Sequence, residues 1–230
     1  MATLTRFLTS TILSKVVMAA TGLILVLFLL GHMSGNLQMF AGQDKMNNYA
    51  VFLQGLGSAL WFIRLFLFVC LVLHVWTSIR LKLLNLEARP VKYVQKNWVR
   101  ASLSSRTMMW TGALIFFFLL YHLLHFTLGA VAAEGYGALD AAGRHDVYNM
   151  VIASYKVPVI SITYIIAMLL LGFHLNHAIA SMFQTLGVNH PRYNGLIQKG
   201  GAVLSIIIVA GFLSIPFGVL AGLIRPVAGV

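Results

Sequence analysis

SKVVMAATGLILVLFLLGHMSGNLQMF, residues 14–40, is the stretch from which the fold is read. No formally charged side chain falls between Val16 and Met33. Such a run is long enough to cross a hydrocarbon core, which takes about 20 apolar residues at about 1.5 Å each. His32 sits near its far end, with Gly31 and Gly35 beside it. A polar ring at membrane depth is costly and marks a functional position. Glycine next to it lets a helix or a flat group approach the backbone.

The rest of the chain has the same character. Its 230 residues are 60% hydrophobic and only 9% charged, a balance outside the range of soluble domains. The apolar runs are long and do not alternate, so they read as membrane helices and not as barrel strands. The net charge of +11 resides between the apolar runs, which argues against a nucleic-acid surface. The single cysteine, Cys70, lies inside a run, leaving no disulfide framework and no C-x-x-C-H attachment motif. The opening MATLTRFLTSTILSK is hydroxyl-rich and weakly basic. The apolar run after it is too long for a signal peptide and no A-x-A site follows, so it reads as the N-terminal lead into the first span.

Hydropathy places five spans, at about 14–36, 58–82, 105–130, 157–183 and 201–224. The expected fold is all-α: a single membrane domain over residues 1–230, a bundle of five transmembrane helices. No repeat of solenoid period and no inverted repeat is evident. Arg6, Lys15, the seven cations Arg80, Lys82, Arg89, Lys92, Lys96, Arg100 and Arg106, and then Arg192 and Lys199 all fall on one side. The positive-inside rule puts that side, with the N-terminus, in the cytoplasm. Asp44, Glu134, Asp140 and Asp146 fall on the other. The first outer connection, NLQMFAGQDKMNNYAVFLQGLG, reads as a polar loop with turn glycines. The second, residues 129–156, has room for a short interfacial helix within DAAGRHDVYNMVIAS. Pro158 opens the fourth span, where proline is tolerated, and Pro216 is expected to kink the fifth.

Eight histidines are present. His145 and His190 fall in loops. The other six are His32, His74, His122, His125, His174 and His177, distributed over the first four spans. Counted from the span ends, His32 and His122 share an outer level, and His74 and His174 an inner one. The two levels are roughly 10–15 Å apart along the membrane normal. A lone membrane histidine ordinarily serves as an interhelical hydrogen-bond partner or proton-relay group. Two pairs at matched depths instead fit axial ligation of two b haems within a four-helix core. Zinc would need four ligands converging at one depth, and no carboxylate lies within a span. His125 and His177 follow His122 and His174 by three residues on roughly the same helix face, so spacing does not choose between neighbours. The shallower two would also suit a haem propionate or a quinone. Arg64, about 15 Å from His74 towards the outer side, is placed for an outer propionate.

The histidine-bearing stretches also carry a family resemblance. SKVVMAATGLILVLFLLGHMSGNLQMF, YAVFLQGLGSALWFIRLFLFVCLVLHVWTSIRLKLLNLEARPVKY, SSRTMMWTGALIFFFLLYHLLHFTLG and LGFHLNHAIASMFQTLGV each belong to a different helix. As a set they resemble the single-chain, two-haem cytochrome b membrane anchor of bacterial succinate dehydrogenase/fumarate reductase, over nearly the whole chain. The resemblance implies His32, His74, His122 and His174 as haem-iron ligands, paired first with third and second with fourth. It implies a flavoprotein subunit and an iron–sulfur subunit docked on the cytoplasmic face of the bacterial inner membrane. Electrons from succinate would reach a membrane quinone, menaquinone in particular, and the dicarboxylate site would lie outside this chain. Membrane lipid is a further expected partner, and whether several complexes join in a higher-order oligomer stays open. Ser14, Lys15 and Arg106 at the inner ends of spans, and Asn36 and Gln38 at the outer end of the first, are candidate quinone contacts. No Asp or Glu lies within a span, which weakens any carboxylate proton path of the kind some two-haem relatives use.

Two other readings stand beside this one. The chain is also compatible with the two-haem anchor of another quinone-linked dehydrogenase, such as a hydrogenase or formate dehydrogenase. A small transporter with a histidine proton relay belongs to a different class and predicts a colourless protein.

Overall fold

The computed structural model of the chain describes residues 10–91, 94–95, 98, 101–132 and 134–227. Residues 1–9, with Arg6, and the cations Lys92, Lys96 and Arg100 lie outside the described residues. The molecule is 79% helical, with no strands among the described residues. Among the described residues five helices are long and apolar enough to cross a membrane, so this is a multi-pass membrane protein.

Helix α1 spans Thr11–Asn36 and continues into a 3-10 turn, Leu37–Ala41. It starts where the Ser10 hydroxyl accepts from the Leu13 N–H (3.1 Å), a serine N-cap. Helix α2, Gln43–Gly55, follows, and then α3, Ser58–Glu87. Helix α4, Leu103–His122, is capped by Ser102 and passes into a π turn, Leu123–Thr127. Helix α5, Val147–Lys156, is capped by Asp146. Helices α6, Pro158–Thr185, and α7, Pro191–Leu220, both take proline in the first turn, where its missing N–H costs nothing. Pro216 lies fully buried inside α7, which runs through it.

Two expectations need correction. The first long connection is not a loop: Gln43–Gly55 is helical. Its Asn47 is fully buried, and Gln43, Asn47 and Asn48 all bond residues of the 139–146 loop. The fifth helix starts at Pro191, about ten residues before the hydropathic edge at 201. Hydropathy finds where a helix meets apolar surroundings. The cap, here His190 accepting from the Arg192 N–H (3.2 Å), sets where it begins.

Helix α1 packs on α3 and α4 on α6, while α7 covers α6 and touches α1. The two pairs meet mainly along α1 and α6; α3 and α4 do not pack closely on each other. Small residues let the central helices approach, as membrane packing requires. Ser205 of α7, for example, donates to the Gly172 carbonyl of α6 (2.9 Å). Val26, Met33, Leu171, Leu175 and Ile208 fill the space between α1, α6 and α7.

Helices α2 and α5, with the 139–146 loop, close the face of the bundle opposite the N-terminus. That capped face is pinned by Asn47, which is fully buried. Its amide donates to Asp140 (2.9 Å) and Asp146 (3.1 Å), and its carbonyl accepts from the Tyr148 N–H (3.1 Å). Arg144 bonds Asp140 (2.8 Å) and reaches Asp44 of α2 (2.7 Å). The Arg144 guanidinium, with help from Asn47, holds the Asp140 carboxyl well below the usual carboxylate range. Such a group stabilises the fold above its ordinary value of 3.8 and loses that contribution as pH falls towards the lower folded value. Proteolysis of α2 and the 139–146 loop is therefore expected to accelerate on acidification below pH 3.8. Arg144→Ala should accelerate it already at neutral pH. Cleavage rates indifferent to both would contradict this role for the cap.

Candidate functional site

Helix register puts the histidines on two levels. From the capped face, Ser58 to His74 and Pro158 to His174 are the same sixteen residues. Those two side chains meet α1 and α4 at Thr21 and Thr111, each eleven residues before His32 and His122. At 1.5 Å per residue the levels are about 16 Å apart.

At the level nearer the N-terminal face, two imidazoles are held alike. His74 Nδ1 lies 3.2 Å from the Met18 carbonyl and 3.4 Å from Thr21 Oγ1. The Thr21 hydroxyl donates to the Val17 carbonyl (2.7 Å), so both partners of Nδ1 are acceptors. Nδ1 therefore carries the proton, and Nε2 is bare. His174 repeats the arrangement. Its Nδ1 is 3.3 Å from Thr111 Oγ1, whose hydroxyl donates to the Thr107 carbonyl (3.1 Å). Each ring lies against a glycine. A Cβ on Gly22 would sit 3.3 Å from His74 Cε1, and a Cβ on Gly112 would sit 3.3 Å from His174 Cε1.

At the level nearer the capped face, the His32 and His122 rings are 5.8 Å apart and nearly perpendicular, at 81°. Phe28 stacks on His32, Phe212 lies beside it, and Phe118 stacks on His122. Asn36 donates to the His32 carbonyl (2.7 Å), with the same amide nitrogen 3.3 Å from Nε2.

The competition between neighbouring histidines is resolved by their surroundings. The π turn widens the helix after His122, so His125 is not on the same face one α-turn later. His125 is fully buried, and both ring nitrogens are engaged, Nδ1 with Tyr164 (2.9 Å) and Nε2 with Ser154 (3.1 Å). His177 turns back to its own helix, with Nε2 3.0 Å from Ser181 Oγ. His122 is the member of its pair that faces another helix's histidine, His32, while His174 lies against Gly112 and Thr111 of α4.

The remaining candidates disperse. Arg64 lies over the Trp61 ring at 5.0 Å. Ser14 is buried and accepts from the Arg80 guanidinium. Lys15 lines a shallow cavity of 380 Å³ with Ser181, Gln184 and Thr185. Arg106 stacks on Trp98 at 4.4 Å beside a second cavity, of 450 Å³, with Lys82. Gln38 is half-buried in the 3-10 turn. The five quinone candidates thus form no common pocket.

Among the described residues, no three of His, Cys, Asp or Glu converge on one point. Each level therefore offers two imidazole donors and no third ligand, which suits a metal whose other positions are filled by a macrocycle and not a tetrahedral ion. The four paired histidines remain half-buried. They come from all four helices of the α1/α3 and α4/α6 pairs. Such a set of residues could hold two haems.

Thr21, Thr111 and Tyr164 are site residues that the sequence reading did not single out. The signal for the threonines was available. L-S-x3-M-x2-T-G-x5-F-L-L-x-H occurs at 13–32 and again at 103–122. The offset of ninety residues relates α1 to α4, two helices running in the same direction. This is a parallel repeat, and its conserved letters include the glycine, threonine and histidine of each cradle. The chain matches no family model, no curated protein and no solved structure.

Proposed function

We propose that this chain is a two-haem cytochrome b, the membrane anchor and electron-transfer subunit of a succinate:quinone oxidoreductase. The observation that carries the reading is the placement of four imidazoles from four helices at two levels, His32 and His122 facing each other at 5.8 Å, with Nε2 of His74 and of His174 left free by the bonds at Nδ1. Bis-histidine haems at such levels, when bound, supply one-electron carriers between an iron–sulfur partner and a membrane quinone.

The chain's own residues do the holding and the insulation. Thr21 and Thr111, with the Met18 carbonyl, orient the near-level rings; Gly22 and Gly112 make room for them. Phe28, Phe118 and Phe212 keep the far level apolar, which favours a delocalised charge over a hydrated one. Arg64 occupies in α3 the position that Tyr164 occupies in α6, ten residues before the near-level histidine. That places its cation at the depth of the far level, where a propionate would pair with it.

Cation placement supports an N-terminal face in the cytoplasm. Lys82, Arg106 and Trp98, and separately Lys15, then face the side on which a flavoprotein and an iron–sulfur protein dock, or receive quinone headgroups at the interface. The setting is the bacterial inner membrane, and the quinone is of the menaquinone class. An anchor for a different quinone-linked dehydrogenase would share the haem chemistry, so the partners decide. Isolation of the tagged chain from its native membranes should bring down a flavoprotein and an iron–sulfur protein, with haem bands that bleach and return under succinate and oxidant. Recovery with a hydrogenase or formate dehydrogenase subunit instead would overturn the succinate assignment.

A further inference from the structure

The far level has a support with no counterpart among the other described residues. Tyr164 from α6, His125 from the π turn and Ser154 from α5 converge there; His125 and Ser154 are fully buried and Tyr164 nearly so. The directions of their hydrogen bonds can be worked out from one end. Ser154 donates its only hydroxyl proton to the Met150 carbonyl (2.9 Å). Its oxygen must then accept from Nε2–H of His125 (3.1 Å). A neutral ring protonated at Nε2 is bare at Nδ1, so His125 Nδ1 accepts the Tyr164 O–H (2.9 Å). With its proton committed, Tyr164 has only lone pairs to offer His122 Nδ1, 3.3 Å away. Nδ1 of His122 therefore carries the proton, and Nε2 is bare.

We propose that Tyr164, anchored by His125 and Ser154, is the positioning residue that fixes the tautomer and ring orientation of His122 as an axial ligand. The proposal rests on the haem reading above. It gives the far level what threonine gives the near level, by a different route. The helix pairs differ here: the α3 residue ten before its histidine, as Tyr164 is in α6, is Arg64, and the side-chain partner of His32 is the Asn36 amide, 3.3 Å from Nε2 and not at Nδ1. An acceptor at Nδ1–H also raises ligand basicity, which favours the oxidised iron. Removing the acceptor should raise the potential of one haem only.

Redox titration of the b bands in the purified complex tests this, with the low-spin electron paramagnetic resonance signals as a second readout. Tyr164→Phe is expected to raise one midpoint potential by a tenfold change in the reduced-to-oxidised ratio, about 59 mV for a one-electron couple. The low-spin signal of the same haem should shift, and the other haem should keep both values. Where Tyr164→Phe does not retain the far-level haem, His125→Phe removes the acceptor of the Tyr164 proton and should move the same haem. Two unchanged potentials in a variant that binds both haems, or equal movement of both, overturns the proposal. A wild-type complex without haem overturns the functional reading instead.

Discussion

His122→Ala is expected to yield a protein with one b haem per chain where the unaltered chain has two, and His125→Ala a protein that keeps both. The two residues are three apart and equally polar, so the contrast isolates ligation from mere loss of an imidazole. His122 faces His32 across 5.8 Å. His125 faces away, with both nitrogens in hydrogen bonds. Truncating His125 strands the Tyr164 hydroxyl, whose proton it accepts, in a buried site, which costs about 1–3 kcal/mol, while Ser154 keeps its bond to the Met150 carbonyl. That is a stability effect, visible as a lower Tm, and not the loss of a metal bond. The same logic pairs the other three. His32→Ala should remove the same haem as His122→Ala, while His74→Ala and His174→Ala should both remove the other. Haem content and the split of the reduced α-band measure the outcome. Loss of a haem in His125→Ala with retention in His122→Ala would reverse the ligand assignment.

Gly112→Val should weaken binding of the near-level haem while leaving the far-level one in place. A β-carbon at this position already meets His174 Cε1 at 3.3 Å, and the branched methyls of valine extend further. The ring cannot retreat along α4, because its Nδ1–H is tied to the Thr111 side (3.3 Å). Overpacking in a filled site costs about 1–3 kcal/mol, or roughly 5- to 150-fold in cofactor affinity at 1.4 kcal/mol per decade. Gly22→Val should act through His74 in the same way, since the spacing there is the same 3.3 Å. Gly31, with nothing within 4 Å of an added Cβ, serves as the control: Gly31→Ala should leave both haems in place. Equal haem content in all three variants would show that the glycines do not shape the site.

Much of this architecture is written in composition and period. An uncharged run from Val16 to Met33 has few alternatives to a membrane helix, and four such runs with histidine at matched depths point to paired ligation. What hydropathy misses are elements whose partners are polar. Helix α2 reads as a loop because Asn47, Asn48 and Gln43 look like solvent-facing residues; they bond Asp140, Arg144 and Asp146, 93 to 103 residues away in sequence. The choice between His122 and His125 was hidden because it depends on a π turn, and three-residue spacing in a regular helix gives no sign of one. The scattering of Ser14, Lys15 and Arg106 has a similar cause. They share a depth but lie on different sides of the bundle, and depth is all that a linear count supplies. The threonines were within reach, since M-x-x-T-G recurs at 18–22 and 108–112. Only the structure explains the recurrence, by setting a histidine from the next membrane-crossing helix against each copy.

The most direct test of the central claim is the haem content of the purified chain, taken with its reduced-minus-oxidised spectrum. Two protohaems per chain, both low-spin with bis-histidine character, are the predicted result. A folded, colourless protein would contradict the account and return the six membrane histidines to packing or proton relay.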